Sequence, residues 1–372
     1  MSSPTASQPE ENPTVPPTQP VPVLLAGDQF VLNRLLERDL TAPELGGPAA
    51  WAPRVLELPW PHVPFGRVAE VDEAAGTEEE MIEALRGVRV CLTQMAPLTS
   101  KVLDACPDLE LFAVSRGGPV NANLAAATEH GVTVTFAPGR NATATAEFSV
   151  GLMLAAARGI AASHVGLVGG RWDSDLFAYD AVGPELEGAT VGLVGAGAVG
   201  SRVARILLGF GARVLIHDPY APAGSLPEGV AHVDLAELLS SAQIVSLHAR
   251  VTPETTGLIG AREIAAMPRG SVLVNCARGA LLDYAALADA LRDGHLHAAG
   301  LDVYDIEPLP ADHPLRGLPN VVTTPHLAGA SRQVAQRASA MVAAEAGRWR
   351  RGEAPAHCAN PDVLSARSGA AR

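Results

Sequence analysis

Lysine is almost missing from this 372-residue chain: of 27 basic residues a single one, Lys101, is a lysine. It follows Leu98-Thr-Ser100 and no glycine-rich phosphate loop, which removes the P-loop nucleotidases. Lysine Schiff-base chemistry would rest on Lys101 alone, whose setting reads as the exposed start of a helix, and is set aside. Cysteine is scarce too. Cys91, Cys106, Cys276 and Cys358 are scattered, form no C-x-x-C pair and sit in a chain too large to need disulfide staples, so reduced cytoplasm is the expected compartment. Basic charge is short, 27 residues against 40 acidic for a net −13, and no run exceeds the Arg348, Arg350, Arg351 cluster. A dedicated nucleic-acid or anionic-membrane surface is therefore excluded, and the expected partners are small molecules. The longest apolar stretch, residues 148–169, is broken by Arg158 and His164, cannot span a bilayer as an unbroken helix, and reads as a buried globular one. Metal-ligand spacing is absent as well: His295 and His297 bracket Leu296 with no carboxylates placed nearby, and read as strand-entry histidines rather than ligands.

What is present is ordinary folding material, 48% hydrophobic, with 36 glycines and 30 prolines in no collagen-like period, at a length that suggests two domains. Residues 1–21, rich in Ser, Pro, Thr, Gln and Glu, read as a disordered leader without a signal peptide. Short β-branched runs then alternate with Ala/Leu-rich helical stretches, the signature of βαβ units and parallel sheets. The rhythm occurs twice. Strands are predicted over 22–26, 54–58, 88–93, 111–115 and 132–136, and again from 190 through 213–217, 244–248, 271–276, 298–303 and 320–324. A helical stretch over 329–350 and a Pro-bearing tail would pack back on the first unit. The expected division is a discontinuous first domain, 22–147 with 330–360, around a second at 148–329, with 361–372 a flexible tail.

Gly195-Ala-Gly197-Ala198-Val199-Gly200 follows a continuous apolar strand and opens a helix predicted over 199–208. The first glycine permits the tight turn, the second lets backbone N–H groups approach a pyrophosphate, and the third lets helix and strand pack closely. Asp218 ends the next strand eighteen positions after Gly200, where a carboxylate accepts hydrogen bonds from ribose hydroxyls and repels a 2′-phosphate. The expected cofactor is thus NAD rather than NADP. In open α/β sheets ligands sit beyond the carboxyl ends of strands, and there Arg278, Asp302, Glu307 and His326 gather at the ends of three later strands. Arg278 can grip a carboxylate bidentately and anchor a 2-oxo acid. His326 can give a proton to a carbonyl oxygen as hydride arrives, and Glu307 beside it would favour the imidazolium and fix its tautomer. Taken singly, Arg278 reads equally as a strand-end ion pair and His326 as a helix cap, and Glu307 reads rather as a solvated loop acid. Together they read as a dehydrogenase triad. Cys276 reads as a small buried side chain, Trp172 as a packing anchor, and Asn141 and Glu147 as crossover or capping residues.

The order of motifs resembles the D-isomer-specific 2-hydroxyacid dehydrogenases, in particular the phosphoglycerate dehydrogenase branch, over roughly residues 85–360. The likeness is carried by the glycine motif, by Arg278 in Val-Asn-Cys-Ala-Arg-Gly-Ala-Leu-Leu-Asp, by Glu307 in Leu-Asp-Val-Tyr-Asp-Ile-Glu-Pro-Leu-Pro, and by His326 in Thr-Pro-His-Leu-Ala-Gly-Ala-Ser. It implies an α/β fold in which a Rossmann doubly wound NAD-binding domain is inserted in a flavodoxin-like substrate domain, and a homodimer with a hinged cleft. It also implies cofactor contacts from Ala198, Val199, His248, Ala277 and Asp302, the last holding the nicotinamide carboxamide. Arg116 with the backbone near Gly117 and Gly118 would bind the substrate. The chain departs from the family at Gly118-Pro-Val-Asn121-Ala-Asn123, which bears on the substrate, and at His248-Ala-Arg250, which puts a cation near the cofactor. It leaves no room for an appended serine-sensing domain. The implied activity is interconversion of a D-2-hydroxy acid and its 2-oxo acid. Oxidation of 3-phosphoglycerate, which would need an added cation such as Arg116 or Arg140, competes with glyoxylate or hydroxypyruvate reduction. A non-catalytic NAD-sensing scaffold of corepressor type is the rival from another class, and formate oxidation is disfavoured by Glu307, an acid that hydride transfer from formate does not need.

Overall fold

The computed structural model describes residues 19–61, 66–222 and 224–365. Most of the leader and residues 366–372 of the expected tail lie outside the described residues. The first half runs β1 (Val21–Gly27), α1 (Asn33–Leu40), β2 (Trp51–Glu57), β3 (Gly66–Val68), β4 (Val71–Ala74), α2 (Glu78–Leu85), β5 (Val90–Thr93), α3 (Ser100–Ala105), β6 (Leu111–Val114), α4 (Leu124–Glu129) and β7 (Thr133–Thr135). It continues through α5 (Ala142–Ala157), α6 (Ile160–Val168), β8 (Thr190–Val194), α7 (Gly200–Gly209), β9 (Arg213–His217), β10 (Ala231–His232), α8 (Leu235–Ser241), β11 (Ile244–Leu247), α9 (Ala261–Ala266) and β12 (Ser271–Asn275). The last elements are α10 (Tyr284–Arg292), β13 (Leu296–Leu301), β14 (Val321–Thr323) and α11 (Arg332–Arg350).

Two parallel sheets result. The first has the order β2-β1-β5-β6-β7 and the second β10-β9-β8-β11-β12-β13-β14. Counted within each sheet these are the flavodoxin-like 2-1-3-4-5 order and the dinucleotide-binding 3-2-1-4-5-6 order with one strand added, both with their switch point beside the first strand. Central strands such as β5, β11 and β12 are buried at every residue, so they read as mostly apolar runs rather than alternating ones. Start signals in the sequence act locally: Thr77 and Glu80 form a reciprocal capping box on α2, and Ser331, Asp283 and Asp234 cap α11, α10 and α8. Lys101 sits in the first turn of α3, paired with Glu78 and Glu79.

α11 returns to the first sheet, where Ala338, Val342, Ala343 and Ala346 share a core with Val23, Leu25, Leu92 and Leu36. Beyond it the chain runs along β7: His357 and Ala359 exchange backbone hydrogen bonds with Phe136 and Val134, and Asn360 bonds both Val132 and Val134. Val363 is fully buried, so the expected flexible tail is packed down at that residue. α5 packs Ala146, Val150 and Met153 on the second sheet as one unbroken helix, so the expected boundary at 147/148 falls inside an element.

Three expectations are corrected. Residues 148–169 are not one buried helix. Gly159, at φ +59°, ends α5, and α6 leaves at 64° with Val165, Leu167 and Val168 mostly exposed. Among the described residues no single helix is long and apolar enough to cross a membrane. Trp172 anchors nothing within the chain; it is 85% exposed, and Phe177 and Tyr179 beyond it are barely covered. The second sheet has a seventh strand, the two-residue β10, and a β3–β4 hairpin precedes α2; both are too short and too polar to show a period.

Candidate active site

The glycine motif forms the turn from β8 into α7. Gly195 has φ +105°, and a Cβ there would fall 2.7 Å from the backbone joining His248 to Ala249. A Cβ on Gly200 would lie 2.1 Å from the Gly195 carbonyl oxygen, whereas one on Gly197 would meet open space. Ala198 and Val199 complete the turn, and the ten-residue helix begins directly after it. A backbone cradle that is open over Gly197 and headed by a helix N-terminus fits a dinucleotide pyrophosphate. Asp218, at the end of β9, accepts the Ala196 N–H at 2.7 Å through Oδ2 and the Tyr220 N–H at 3.0 Å through Oδ1, which holds it against the rim of the cradle. His248 hydrogen-bonds Ser246 at 3.0 Å, and enclosure pushes its ring down to about 4, so it stands neutral under the turn.

The ends of β12, β13 and β14 supply the other group. His326 Nδ1 lies 2.8 Å from Glu307 Oε2, and the other Glu307 oxygen accepts the Tyr304 N–H at 3.0 Å. Burial pushes the Glu307 carboxyl up, but the His326 and Tyr304 hydrogen bonds and the charges of His326 and Arg278 outweigh it, leaving the group below its ordinary value. His326 adopts φ +55°, which strains a residue with a side chain. Its N–H donates to the Asp302 carbonyl at 2.9 Å. Asp302 itself is fully buried, and its carboxylate accepts the Thr324 hydroxyl and the N–H groups of Leu327 and Ala328 at 2.6, 2.7 and 2.8 Å. In the structure, then, Asp302 clamps the turn that carries His326.

Arg278 is exposed at the end of β12, in extended conformation, with Nη1 donating to the Ala277 carbonyl. Asn275 fixes this loop by accepting the Ala277 N–H and donating to the Arg278 carbonyl. Tyr284 donates to the Val303 carbonyl at 2.6 Å, and Tyr304 to that of Thr324 at 2.9 Å, lacing the three strand ends together. Asn275, Tyr284 and Tyr304 were not singled out from the sequence. Their signal, polar groups beside an apolar strand, is shared by many core residues.

The first sheet contributes Arg116, whose charge acts on Arg278. Arg116 is held by the Glu73 carboxylate and carbonyl, from the unforeseen hairpin. Cβ atoms on Gly117 and Gly118 would meet open space. Asn141 does not cap α5; it lies against Gly329, so the two chain crossings between the sheets run side by side, and Arg337 ties them by donating to the Arg140 carbonyl at 2.9 Å. Cys276 is buried, which pushes its thiol up to about 12. His295 bonds the Ile264 carbonyl, and among the described residues no group of three His, Cys, Asp or Glu side chains could hold a metal ion.

Residues 150–328 match the family model of the D-isomer specific 2-hydroxyacid dehydrogenase NAD binding domain. The chain is 36% identical over 298 residues to a glyoxylate reductase of Korarchaeum cryptofilum, covering 80% of this chain and 90% of the relative. It is 39% identical over 284 residues to a D-3-phosphoglycerate dehydrogenase of Methanocaldococcus jannaschii, covering 75% of this chain. It spans about half the length of that relative, 53%. A solved structure from Thermus thermophilus superposes with a TM-score of 0.72 at 33% identity, over 91% of this chain and all of the other. The chain belongs to the D-isomer-specific 2-hydroxyacid dehydrogenase family, and its second sheet is a Rossmann domain for a nicotinamide dinucleotide.

Proposed function

We propose that the protein is an NAD-dependent oxidoreductase that interconverts a D-2-hydroxy acid and its 2-oxo acid. The observation that carries this is the 2.8 Å His326–Glu307 pair facing an exposed Arg278 at the strand ends beside the glycine cradle. The bound nicotinamide would supply or accept the hydride. Arg278 grips the substrate carboxylate. With Nδ1 committed to Glu307, His326 has Nε2 left to donate a proton to the C2 oxygen during reduction and to take it back during oxidation. Glu307, ionised, orients the ring and balances its charge.

The Asp218 carboxylate at the end of β9 supports NAD over NADP, since a 2′-phosphate would meet its charge. Glyoxylate and 3-phosphoglycerate are the substrates named for the relatives. Reduction of an unphosphorylated 2-oxo acid is the better supported, because Arg116, a candidate phosphate ligand, already holds Glu73. The exposed apolar strip Val165, Leu167, Val168, Trp172, Phe177 and Tyr179 supports a homodimer in which a second copy covers it. Four free cysteines fit a reducing, cytoplasmic setting. The test is nicotinamide absorbance with NADH or NADPH and a panel of glyoxylate, hydroxypyruvate, phosphohydroxypyruvate and bulkier 2-oxo acids. Oxidation of NADH by a member establishes the reading; cofactor binding with no turnover on any of them overturns it in favour of a sensor.

A further inference from the structure

The reaction just described makes no use of a polar set at the carboxyl edge of the first sheet. Four of its five strand ends each deliver a buried side-chain atom with no hydrogen-bond partner: Asp28 Oδ2 after β1, Gln94 Oε1 after β5, Ser115 Oγ after β6 and Arg140 Nη1 after β7. Leaving such buried atoms unpaired is costly, and a set of them gathered at one sheet edge calls for a partner from outside the chain. Two carry opposite charges. Asp28 is fully buried, and its Oδ1 is fixed by the N–H groups of Phe30 and Val31 at 2.7 and 2.8 Å, so Oδ2 is held in one place. The Arg140 guanidinium lies 5.8 Å from the centre of the Phe30 ring. Asp28 and Arg140 act on one another electrostatically, Arg140 on Arg116, and Arg116 on Arg278. Through Arg116 the set lies within electrostatic reach of the carboxylate anchor. Yet among the described residues no ion pair joins Asp28 to Arg140. The acceptor oxygen of Asp28 and the donor nitrogen of Arg140 are each left without a partner.

A hydroxyl group completes both atoms, since it donates once and accepts through its lone pairs. A phosphate or second carboxylate completes only Arg140 and brings its charge beside the free oxygen of Asp28. An alkyl chain completes neither. We propose that Asp28 and Arg140 form a subsite for substrate hydroxyls, and that the substrate is a polyhydroxylated 2-hydroxy acid of the sugar-acid type, with hydroxyls beyond C2. The inference rests on the dehydrogenase reading above and narrows its substrate class.

The experiment measures kcat/KM with the full chain and NADH for four compounds: glyoxylate, 2-oxobutanoate, 3,4-dihydroxy-2-oxobutanoate and phosphohydroxypyruvate. The dihydroxy acid is expected to exceed its deoxy counterpart by on the order of 100-fold, because the analogue leaves charged groups unpaired. Asp28→Asn keeps the Oδ1 acceptor but replaces the free oxygen by a donor, and Arg140→Met keeps the stem. Each is expected to lower the dihydroxy-to-deoxy ratio by about tenfold or more. The two variants probe the same ratio from opposite sides, so one that fails to fold leaves the other decisive. Equal rates for the matched pair, or an unchanged ratio in a folded variant, overturn the subsite. Preference for phosphohydroxypyruvate overturns it in favour of a phosphate site. Turnover of glyoxylate without hydroxyl preference removes this inference alone, whereas no oxidation of NADH or NADPH by any of the four removes the dehydrogenase reading with it.

Discussion

Gly279→Ala asks whether Arg278 is aimed by the packing of its own loop against the chain that carries Glu307. An alanine Cβ at 279 would fall 1.8 Å from the Tyr304 carbonyl oxygen, 2.2 Å from its carbonyl carbon and 2.8 Å from the Asp305 nitrogen. Carbon and oxygen settle at roughly 3.3 Å or more, so the two segments must part by about 1.5 Å. Neither gives easily. Tyr304 is tied through its N–H to Glu307 and through its hydroxyl to Thr324, and the Arg278 carbonyl is tied to Asn275. The separation therefore reaches Arg278 on one side or the His326–Glu307 pair on the other. A misplacement of about 1 Å in such a site costs on the order of 100-fold in rate, or about 2.7 kcal/mol of barrier. Overpacking should also cost about 1–3 kcal/mol of stability. The assay is NADH oxidation with the best 2-oxo acid of the panel, alongside NADH binding followed by fluorescence. Binding should change by less than about threefold, because the glycine cradle lies on another strand. Gly209→Ala is the control: it is exposed, at the end of α7, with nothing near its Cβ position, and should gain roughly 0.5–1 kcal/mol with full activity. Wild-type rates in Gly279→Ala would refute the idea that this contact aims the site.

Three further outcomes are expected. His326→Ala should lose turnover by roughly 100-fold or more while still binding NADH; retained turnover would remove the imidazole from the mechanism. Asp218→Ala should narrow the preference for NAD over NADP, and an unchanged ratio of kcat/KM values would move cofactor choice to Arg250. His248, held near 4 in the folded chain against an ordinary 6.5, binds its proton more readily unfolded. Its contribution to stability is present above pH 6.5 and falls away as the pH drops through 6.5 toward 4, by about 3 kcal/mol. His248→Gln should flatten the urea midpoint across that window, and a curve as steep as wild type would show that other groups set it.

The strand pattern was legible because a parallel strand buried on both faces needs an apolar middle, as 191–194, 214–216 and 272–274 have. The glycine motif was legible for a similar reason: a positive φ at Gly195 and a 2.1 Å approach at Gly200 leave no other residue type room. His326 and Glu307 were legible as strand-end polar residues. The first sheet carries the same kind of signal, since Asp28 directly follows Gly27 at the end of β1. Glu73, which claims Arg116, had no comparable signal, since it sits at φ +48° in a hairpin with no period of its own.

Local chemistry, then, is what the amino-acid order determined unaided: where chains extend, where helices start, which turns demand glycine, and which polar groups end strands, because each depends on residues within one or two turns. Tertiary structure decided the rest. It placed α6 at 64° to α5 with an apolar face uncovered, where the sequence read one buried helix. It brought the ends of β6 and β12, more than 150 positions apart, close enough for Arg116 and Arg278 to act on each other, and it neutralised the first through Glu73. Whether an arginine is free for a substrate depends on which distant carboxylate reaches it, and that distance is a property of the packed chain alone.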